Sequence, residues 1–155
     1  MNKKLFALGI LISMFASVLP AQAFIALPYF DVTINQHAVG GDGTFTFHIS
    51  KSYVDDHESS PVGDFDIQTV SGSGTNSASS IAGAGDVFAI IQDTPSGWQA
   101  PQITCTSPNP LVTSEPTEGG VFVFAAPFSS VVCDFTNAQA SVGLSNVLFI
   151  PGFEA

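Results

Sequence analysis

The stretch Thr44-Phe45-Thr46-Phe47-His48-Ile49 decides the fold class, because apolar and polar residues alternate strictly along it. A period of two places Phe45, Phe47 and Ile49 on one face of a β-strand and leaves the other face polar. Similar short runs recur along the chain and are separated by Gly, Pro, Ser and Asn: 29–34, 64–70, 86–91, 102–106, 121–124 and 130–137. About seven strands with no helical pattern between them predict an all-β fold, either a sandwich or a barrel.

The connections between these runs differ in composition. The Gly-rich segment 37–43 predicts a hairpin that joins the runs 29–34 and 44–49. The polar and acidic segment 50–63 is expected to form a loop with room for a short strand near Tyr53, and the Pro-rich segment 107–120 is expected to form a second loop. The segment 71–84 is rich in Ser and Gly, and it is either an exposed loop or a strand of small residues.

The amino terminus has the layout of a secretory signal peptide. Lys3 and Lys4 precede an apolar run over 5–19, and Pro20 and the small-residue triplet 21–23 follow it. The run has 15 residues, whereas a membrane-spanning helix needs about 20. We therefore expect cleavage after Ala23 and export of the chain, either secreted or held at the cell surface. Residues 24–140 are then expected to form one domain, and 141–155 a carboxyl-terminal tail or an extra edge strand.

The charge of the chain excludes several kinds of partner. Loss of Lys3 and Lys4 with the leader leaves one basic residue, Lys51, against 13 acidic residues, a formal net charge of −12. Binding to nucleic acids and to anionic lipids depends on Lys and Arg, which release counterions from these surfaces. We expect no nucleic-acid partner and no membrane span after signal cleavage.

The two cysteines, Cys105 and Cys133, lie in the part of the chain expected to be exported. An oxidising environment favours a disulfide between them over two free thiols. Closing a loop of this length stabilises a fold by about 3 to 4 kcal/mol on the chain-entropy description. A metal pair or a thiol nucleophile is the alternative, but neither cysteine has CxxC spacing or a neighbouring histidine.

Few residues have the spacing of a catalytic or metal site. Asp55, Asp56 and Glu58 are weak calcium candidates, since the stretch lacks the regular Asp-x-Asp-x-Asp-Gly register of a calcium loop. A solvated acidic loop is the favoured interpretation. His37, His48 and His57 lack zinc-site spacing, and no serine lies in a Gly-x-Ser-x-Gly motif. We expect no catalytic residue, no cofactor and no enzymatic activity.

An ordered set of motifs resembles a known family. Pro95-Ser96-Gly97-Trp98, then Ile103-Thr104-Cys105, and finally Cys133-Asp134-Phe135-Thr136-Asn137 are similar to the carboxyl-terminal half of prealbumin-like domains of bacterial surface proteins. That family is related to the collagen-adhesin B-type and SpaA-type pilin repeats. The resemblance implies a single antiparallel Greek-key sandwich of about seven strands. It also implies that Cys105 and Cys133 pair across neighbouring strands, and that Trp98 caps one end of the core.

Many members of the family carry an internal Lys–Asn isopeptide bond, which forms while a buried carboxyl group transfers protons. Asn137 stands at the position of the acceptor asparagine, but Asn35 and Gln92 stand where the lysine and the acid are expected. Lys51 follows the second strand, so it supplies the amine of such a bond only if the strand register differs from the one expected here. We therefore expect no isopeptide bond.

These observations favour a non-catalytic module of the cell surface with a structural or adhesive role. Its partner is expected to be a protein or glycan, unknown in identity, bound by loops at one end of the sandwich. Two alternatives remain, a carbohydrate- or calcium-binding module and a small secreted hydrolase. The first predicts that calcium raises the melting temperature. The second requires a pocket in which a carboxylate or serine meets a histidine.

Overall fold

The computed structural model describes residues 26–53 and 56–140, without the side chains of residues 56 and 57. The expected signal peptide and the carboxyl-terminal tail lie outside the described residues. The described part is all-β, as predicted, and contains nine strands. They are β1 (Tyr29–Val39), β2 (Thr44–Tyr53), β3 (Asp56–Gln68), β4 (Ser73–Ile81), β5 (Val87–Asp93), β6 (Gln102–Thr106), β7 (Thr113–Thr117), β8 (Gly120–Phe124) and β9 (Ser129–Ala138).

The strands form two sheets that face each other across one core. The four-stranded sheet has the order β4-β1-β9-β6, and the five-stranded sheet has the order β3-β2-β5-β8-β7. Each inner face is built by strict alternation. In β1, for example, Phe30, Val32 and Ile34 are buried, whereas Asp31 between them is exposed. The alternation seen in the sequence therefore describes which side chains enter the core.

The arrangement of the first strands differs from the prediction. β1 and β2 do not form a hairpin, because β1 lies in the four-stranded sheet and β2 in the other. β1 pairs in parallel with β9, and the remaining strand pairs are antiparallel. The all-antiparallel expectation is wrong at this pair. Alternation does not distinguish the two kinds of pairing, since both bury every second side chain.

Two segments expected to be loops contain strands instead. Residues 50–63 are divided between the end of β2 and most of β3, and β7 lies within 107–120. Both β3 and β7 are at the edge of the five-stranded sheet. An edge strand accepts proline and keeps polar residues in solvent, as Pro61 in β3 and Pro116 in β7 illustrate. A register shift beside Ser50, which pairs with Pro61, accommodates the irregular composition.

The core is rich in phenylalanine, and Phe45 and Phe47 enter it as the alternation in β2 predicted. Phe30 of β1 contacts Phe88 of β5 with ring centroids 4.9 Å apart, so this pair joins the two sheets. A second inter-sheet pair, between Phe47 and Phe135, meets edge to face at 5.0 Å. Burying each such side chain contributes about 1.5 to 3 kcal/mol, so these rings supply much of the force that holds the sheets together.

A disulfide and an aromatic contact add to this core. Cys105 and Cys133 form the predicted disulfide, which joins β6 to β9 at directly opposite positions of the ladder. Trp98 is partly buried and packs edge-on against Phe45, with ring centroids 5.1 Å apart. The tryptophan therefore has a packing role at the rim of the core, as the family resemblance implied.

Candidate functional site

Three amide side chains meet in the interior of the sandwich. They belong to Gln36 of β1, Gln92 of β5 and Asn137 of β9, and all three are buried. Gln36 donates from Nε2 to Asn137 Oδ1 at 2.9 Å, and Gln92 donates from Nε2 to Gln36 Oε1 at 2.6 Å. Asn137 Nδ2 completes the ring of contacts by donating to Gln92 Oε1 at 3.0 Å. We call this group the amide cluster.

The position of the amide cluster follows from strand alternation. Gln36 continues the buried series that begins at Phe30, and Asn137 continues the series of Val131, Cys133 and Phe135. β1 and β9 are neighbours in one sheet, whereas β5 lies in the other. The amide cluster therefore links the two sheets through polar contacts in a largely apolar core.

Asn35, which was expected in place of the family's lysine, does not reach the amide cluster. Its side chain is only half-buried and donates to Asp134 Oδ1 at 3.0 Å, on the opposite face of the sheet. Gln36, and not Asn35, makes the hydrogen bonds with Gln92 and Asn137. The alternation that begins at Phe30 predicts this difference. Even-numbered residues of β1, such as Gln36, point into the core, whereas odd-numbered residues, such as Asn35, point away from it.

The chemistry of the amide cluster is that of hydrogen bonding. Amides carry no charge near neutral pH, and each one both donates and accepts, so three of them satisfy one another without an ion. A second donation from Asn137 Nδ2, to the carbonyl oxygen of Gln99 at 2.9 Å, uses its remaining proton. Every buried polar side-chain atom of the described residues has a partner. The cluster contains no amine to act as a nucleophile and no carboxyl group to carry protons.

Lys51 lies elsewhere and has partners of its own. Its Nζ donates to the carbonyl oxygen of Ile81 at 2.8 Å and lies 3.7 Å from Asp86 Oδ2. Both Lys51 and Asp86 are buried, so this is an ion pair shielded from solvent. The Nζ atom also lies 4.7 Å from the ring centroid of Tyr53. Lys51 therefore makes a structural contact between β2 and the segment that precedes β5.

A second polar group lies on the outer face of the five-stranded sheet. His48 of β2 contacts Asp64 of β3 through Nδ1 at 3.0 Å and Asp93 of β5 through Nε2 at 3.1 Å. The hydrogen bond to Asp93, and then the one to Asp64, raises the pKa of His48 above its ordinary value of 6.5. The protonated ring ties three adjacent strands together, although the sequence suggested no more than an exposed residue.

The remaining candidate residues from the sequence are dispersed. Glu58 is exposed on β3, whereas Asp55 and the side chain of Asp56 lie outside the described residues. The side chain of His57 is also outside them. His37 Nε2 lies 3.5 Å from Asp134 Oδ1 at the surface. Among the described residues, no three His, Cys, Asp or Glu side chains are grouped to hold a metal ion.

The fold and its interior define a class of disulfide-containing, two-sheet β-sandwiches. Comparison with protein families matches residues 32–139 to the SpaA-type family described as "Prealbumin-like fold domain". This match covers more than half of the chain. The chain belongs to this family of prealbumin-like domains, as its motifs suggested.

Two solved structures are similar to part of this chain. One is an adhesin from Mobiluncus mulieris containing intramolecular disulfide, isopeptide and ester bond cross-links, with 15% identity, a TM-score of 0.47, and coverage of 74% of this chain and 42% of that one. Another is the major pilin from Streptococcus pyogenes, with 8% identity, a TM-score of 0.43, and coverage of 72% and 48%. This chain covers less than half the length of either protein.

Among curated proteins, none matches this chain. In residues 26–53 and 56–140, no helix has the length and apolar character that crossing a membrane requires.

Proposed function

We propose that this protein is a non-catalytic structural module of a bacterial cell surface, exported through its leader and used as a rigid support in adhesion or surface assembly. The amide cluster is the observation that carries this proposal. At the place where Gln36, Gln92 and Asn137 meet, mutual hydrogen bonds hold the two sheets together, and this cluster contains no amine and no carboxyl group. Membership of the prealbumin-like family supports the same role.

The proposed mechanism is reinforcement of a sandwich at several points. The disulfide joins β6 to β9, and the amide cluster joins β1 and β9 to β5. A support with few internal degrees of freedom presents surface loops to a protein or glycan partner at low entropic cost. The long polar loop expected at 50–63 is largely strand, so the presented segments are the turns between strands.

Export and covalent state are tested together by intact mass spectrometry. The full chain is produced in a bacterial host that exports it, and the protein is released from intact cells by a protease that does not enter them. The expected product begins at Phe24, has lost two hydrogens to the disulfide and has lost no ammonia. A product that retains the leader, or that stays inside the cell, would contradict the proposal of a surface module.

Adhesion is tested separately with beads that carry the exported chain. Attachment to bacterial glycans and to extracellular matrix proteins is compared with attachment of beads that carry the reduced and alkylated chain. Retention on one ligand by the oxidised protein alone supports the adhesive role. Turnover of ester, peptide or glycoside substrates by the purified chain would support the hydrolase alternative.

The calcium-binding alternative has its own measurement. We compare the melting temperature in calcium and in chelator for the wild-type chain and for the combined variant Asp55→Asn, Asp56→Asn, Glu58→Gln. A calcium-dependent rise in the wild-type chain that is lost in the variant would favour a calcium-binding module. Equal melting temperatures in the two solutions support the structural module.

A further inference from the structure

Strand β6 contributes little to the core of the sandwich. It has five residues, lies at the edge of the four-stranded sheet and pairs with β9 on one side only. Two of its side chains, those of Ile103 and Cys105, pack against the core, and both are only partly buried. Its other three side chains are exposed. Apolar burial therefore stabilises the docked position of β6 only weakly.

Strand β9, in contrast, keeps most of its contacts without β6. Its other edge pairs with β1 at ten positions. The buried ring of Phe135 contacts Phe47 of the opposite sheet. The two inter-sheet phenylalanine pairs and the amide cluster use no side chain of β6. The contacts that join the two sheets therefore do not require β6.

The disulfide attaches β6 to β9 and is open to reduction from one side. Cys105 and Cys133 are direct partners in the ladder, and Cys133 is fully buried whereas Cys105 is only partly buried. A thiolate therefore attacks the sulfur of Cys105, forms a mixed disulfide there and releases Cys133 as a thiol. The second thiol of a dithiol reductant then releases Cys105. Two electrons and two protons pass to the cysteines, and the reductant becomes a cyclic disulfide.

The chain before β6 is held firmly. The amide of Gln99 donates to the carbonyl oxygen of Ala138 at 2.8 Å. The carbonyl oxygen of Gln99 accepts from Asn137 Nδ2 at 2.9 Å. The neighbouring ring of Trp98 packs against Phe45. This end of β6 therefore has two hydrogen bonds and an aromatic contact that do not depend on the disulfide.

The chain after β6 is held less firmly. The hydroxyl of Ser107 donates to the carbonyl oxygen of Ser130 at 2.6 Å, and this is a single hydrogen bond from a side chain. The next residue, Pro108, has no backbone donor. Once the disulfide is broken, we expect β6 to separate from β9 first at Thr106, with Gln99 as the fixed end.

We propose that β6 is a detachable edge strand whose attachment depends on the disulfide between Cys105 and Cys133. In the oxidised chain β6 stays on β9. In the reduced chain β6 separates from β9 by local opening, while the other strands stay folded. The separation uncovers the backbone donors and acceptors of β9 that paired with β6, so reduction creates a free strand edge.

Hydrogen exchange of the exported chain, followed by NMR at low urea concentrations, tests this proposal. The β6 amides that donate to β9 are compared with the β2 amides that donate to β5, before and after treatment with dithiothreitol. In the oxidised chain both sets are expected to exchange slowly. In the reduced chain the β6 amides are expected to exchange at least about tenfold faster than the β2 amides. Their rate is expected not to change with urea, because local opening exposes little surface.

Variants check the role of the disulfide and the direction of opening. Cys105→Ala with Cys133→Ala is expected to show the fast β6 exchange without any reductant. In the reduced chain, Ser107→Ala removes the hydrogen bond to Ser130 and is expected to speed β6 exchange further. Ser59→Ala, at an exposed serine of β3, is the matched control and is expected to leave β6 exchange unchanged.

Equal exchange rates of the β6 and β2 amides in the reduced chain, with the same dependence on urea, would overturn the inference, since the sandwich then opens as one unit. Slow β6 exchange in a chain whose intact mass shows both thiols would also overturn it, as would loss of all protection on reduction. The inference is independent of the proposed surface role, because the exported chain carries the disulfide and stays a rigid support in either case.

Discussion

Gln92 is the residue through which the amide cluster connects the two sheets, since it donates to Gln36 and accepts from Asn137. Gln92→Leu keeps a similar volume but leaves a buried acceptor and a buried donor without partners. We expect this variant to lose about 3 kcal/mol of unfolding free energy, measured by urea denaturation, since each unsatisfied group costs about 1 to 3 kcal/mol. Gln68→Leu, at an exposed position of β3, is the control and is expected to change stability little.

The amide cluster also makes a prediction about covalent chemistry. In Gln36→Lys with Gln92→Glu, a buried amine faces the Asn137 amide beside a carboxyl group. The amine nitrogen attacks the amide carbon, the carboxyl group transfers the proton, and ammonia leaves as the new amide forms. We expect this double variant to lose one ammonia in its intact mass. The triple variant with Asn137→Ala lacks the acceptor and is expected to keep its full mass. Loss of one ammonia from the double and the triple variant alike would refute the assignment of Asn137 as the acceptor.

His48 allows a prediction about pH. Its pKa is raised most by the hydrogen bond that the ring donates to Asp93 and then by the one that it donates to Asp64, so Asp93→Asn is expected to lower the pKa more than Asp64→Asn. Titration of the ring protons by NMR measures both shifts. An equal pKa of His48 in the wild-type chain and in Asp93→Asn would exclude the hydrogen bond between His48 and Asp93 in solution.

The sign of the stability effect follows from the direction of this shift. The folded pKa is above the ordinary value of 6.5, so protonated His48 adds stability that is fully present below that value and is lost as pH rises through the raised pKa. The stability difference between the wild-type chain and His48→Asn is therefore expected to shrink from acidic to alkaline pH. A difference that grows with pH would contradict the ion-paired arrangement.

At the scale of strands, glycine allows a close approach between β8 and β5. A Cβ atom on Gly120 would lie 2.3 Å from the carbonyl oxygen of Ile90, which is backbone and does not move aside cheaply. We expect Gly120→Ala to destabilise the sheet by about 3 kcal/mol, the upper part of the usual range for overpacking. Gly63→Ala, where no atom lies within 4 Å of the added carbon, is the matched control. Equal thermal stability of the two variants would show that β8 lies farther from β5.

The strands also show where the sequence was informative and where it was not. Alternation in β1, β2 and β9 predicted the buried faces correctly, because each of these strands has one face in the core. In β3 it predicted the part that lies within the run 64–70, but it failed for residues 56–63 of β3 and for β7, whose polar and proline-containing sequences have the composition of loops. These two are edge strands, so the lateral contact with one neighbour, rather than their own composition, makes them strands.

At the scale of the whole molecule, the disulfide acts through the unfolded chain. Cys105 and Cys133 are 28 residues apart, and their bond restricts the unfolded ensemble. The double variant Cys105→Ser, Cys133→Ser is expected to lose about 3 kcal/mol of unfolding free energy relative to the oxidised chain. Urea denaturation of both chains, and of the wild-type chain in reductant, measures this loss. A reduced wild-type chain as stable as the oxidised one would contradict the entropic contribution.

By itself, the sequence determined the all-β class, the phenylalanine core, the pairing of the two cysteines and membership of the prealbumin-like family. These features depend on local alternation and on ordered motifs, which are readable along the chain. The tertiary structure alone decided the parallel pairing of β1 with β9 and the meeting of Gln36, Gln92 and Asn137. Contacts between distant segments depend on strand order and sheet assignment, and side-chain periodicity carries no information about either.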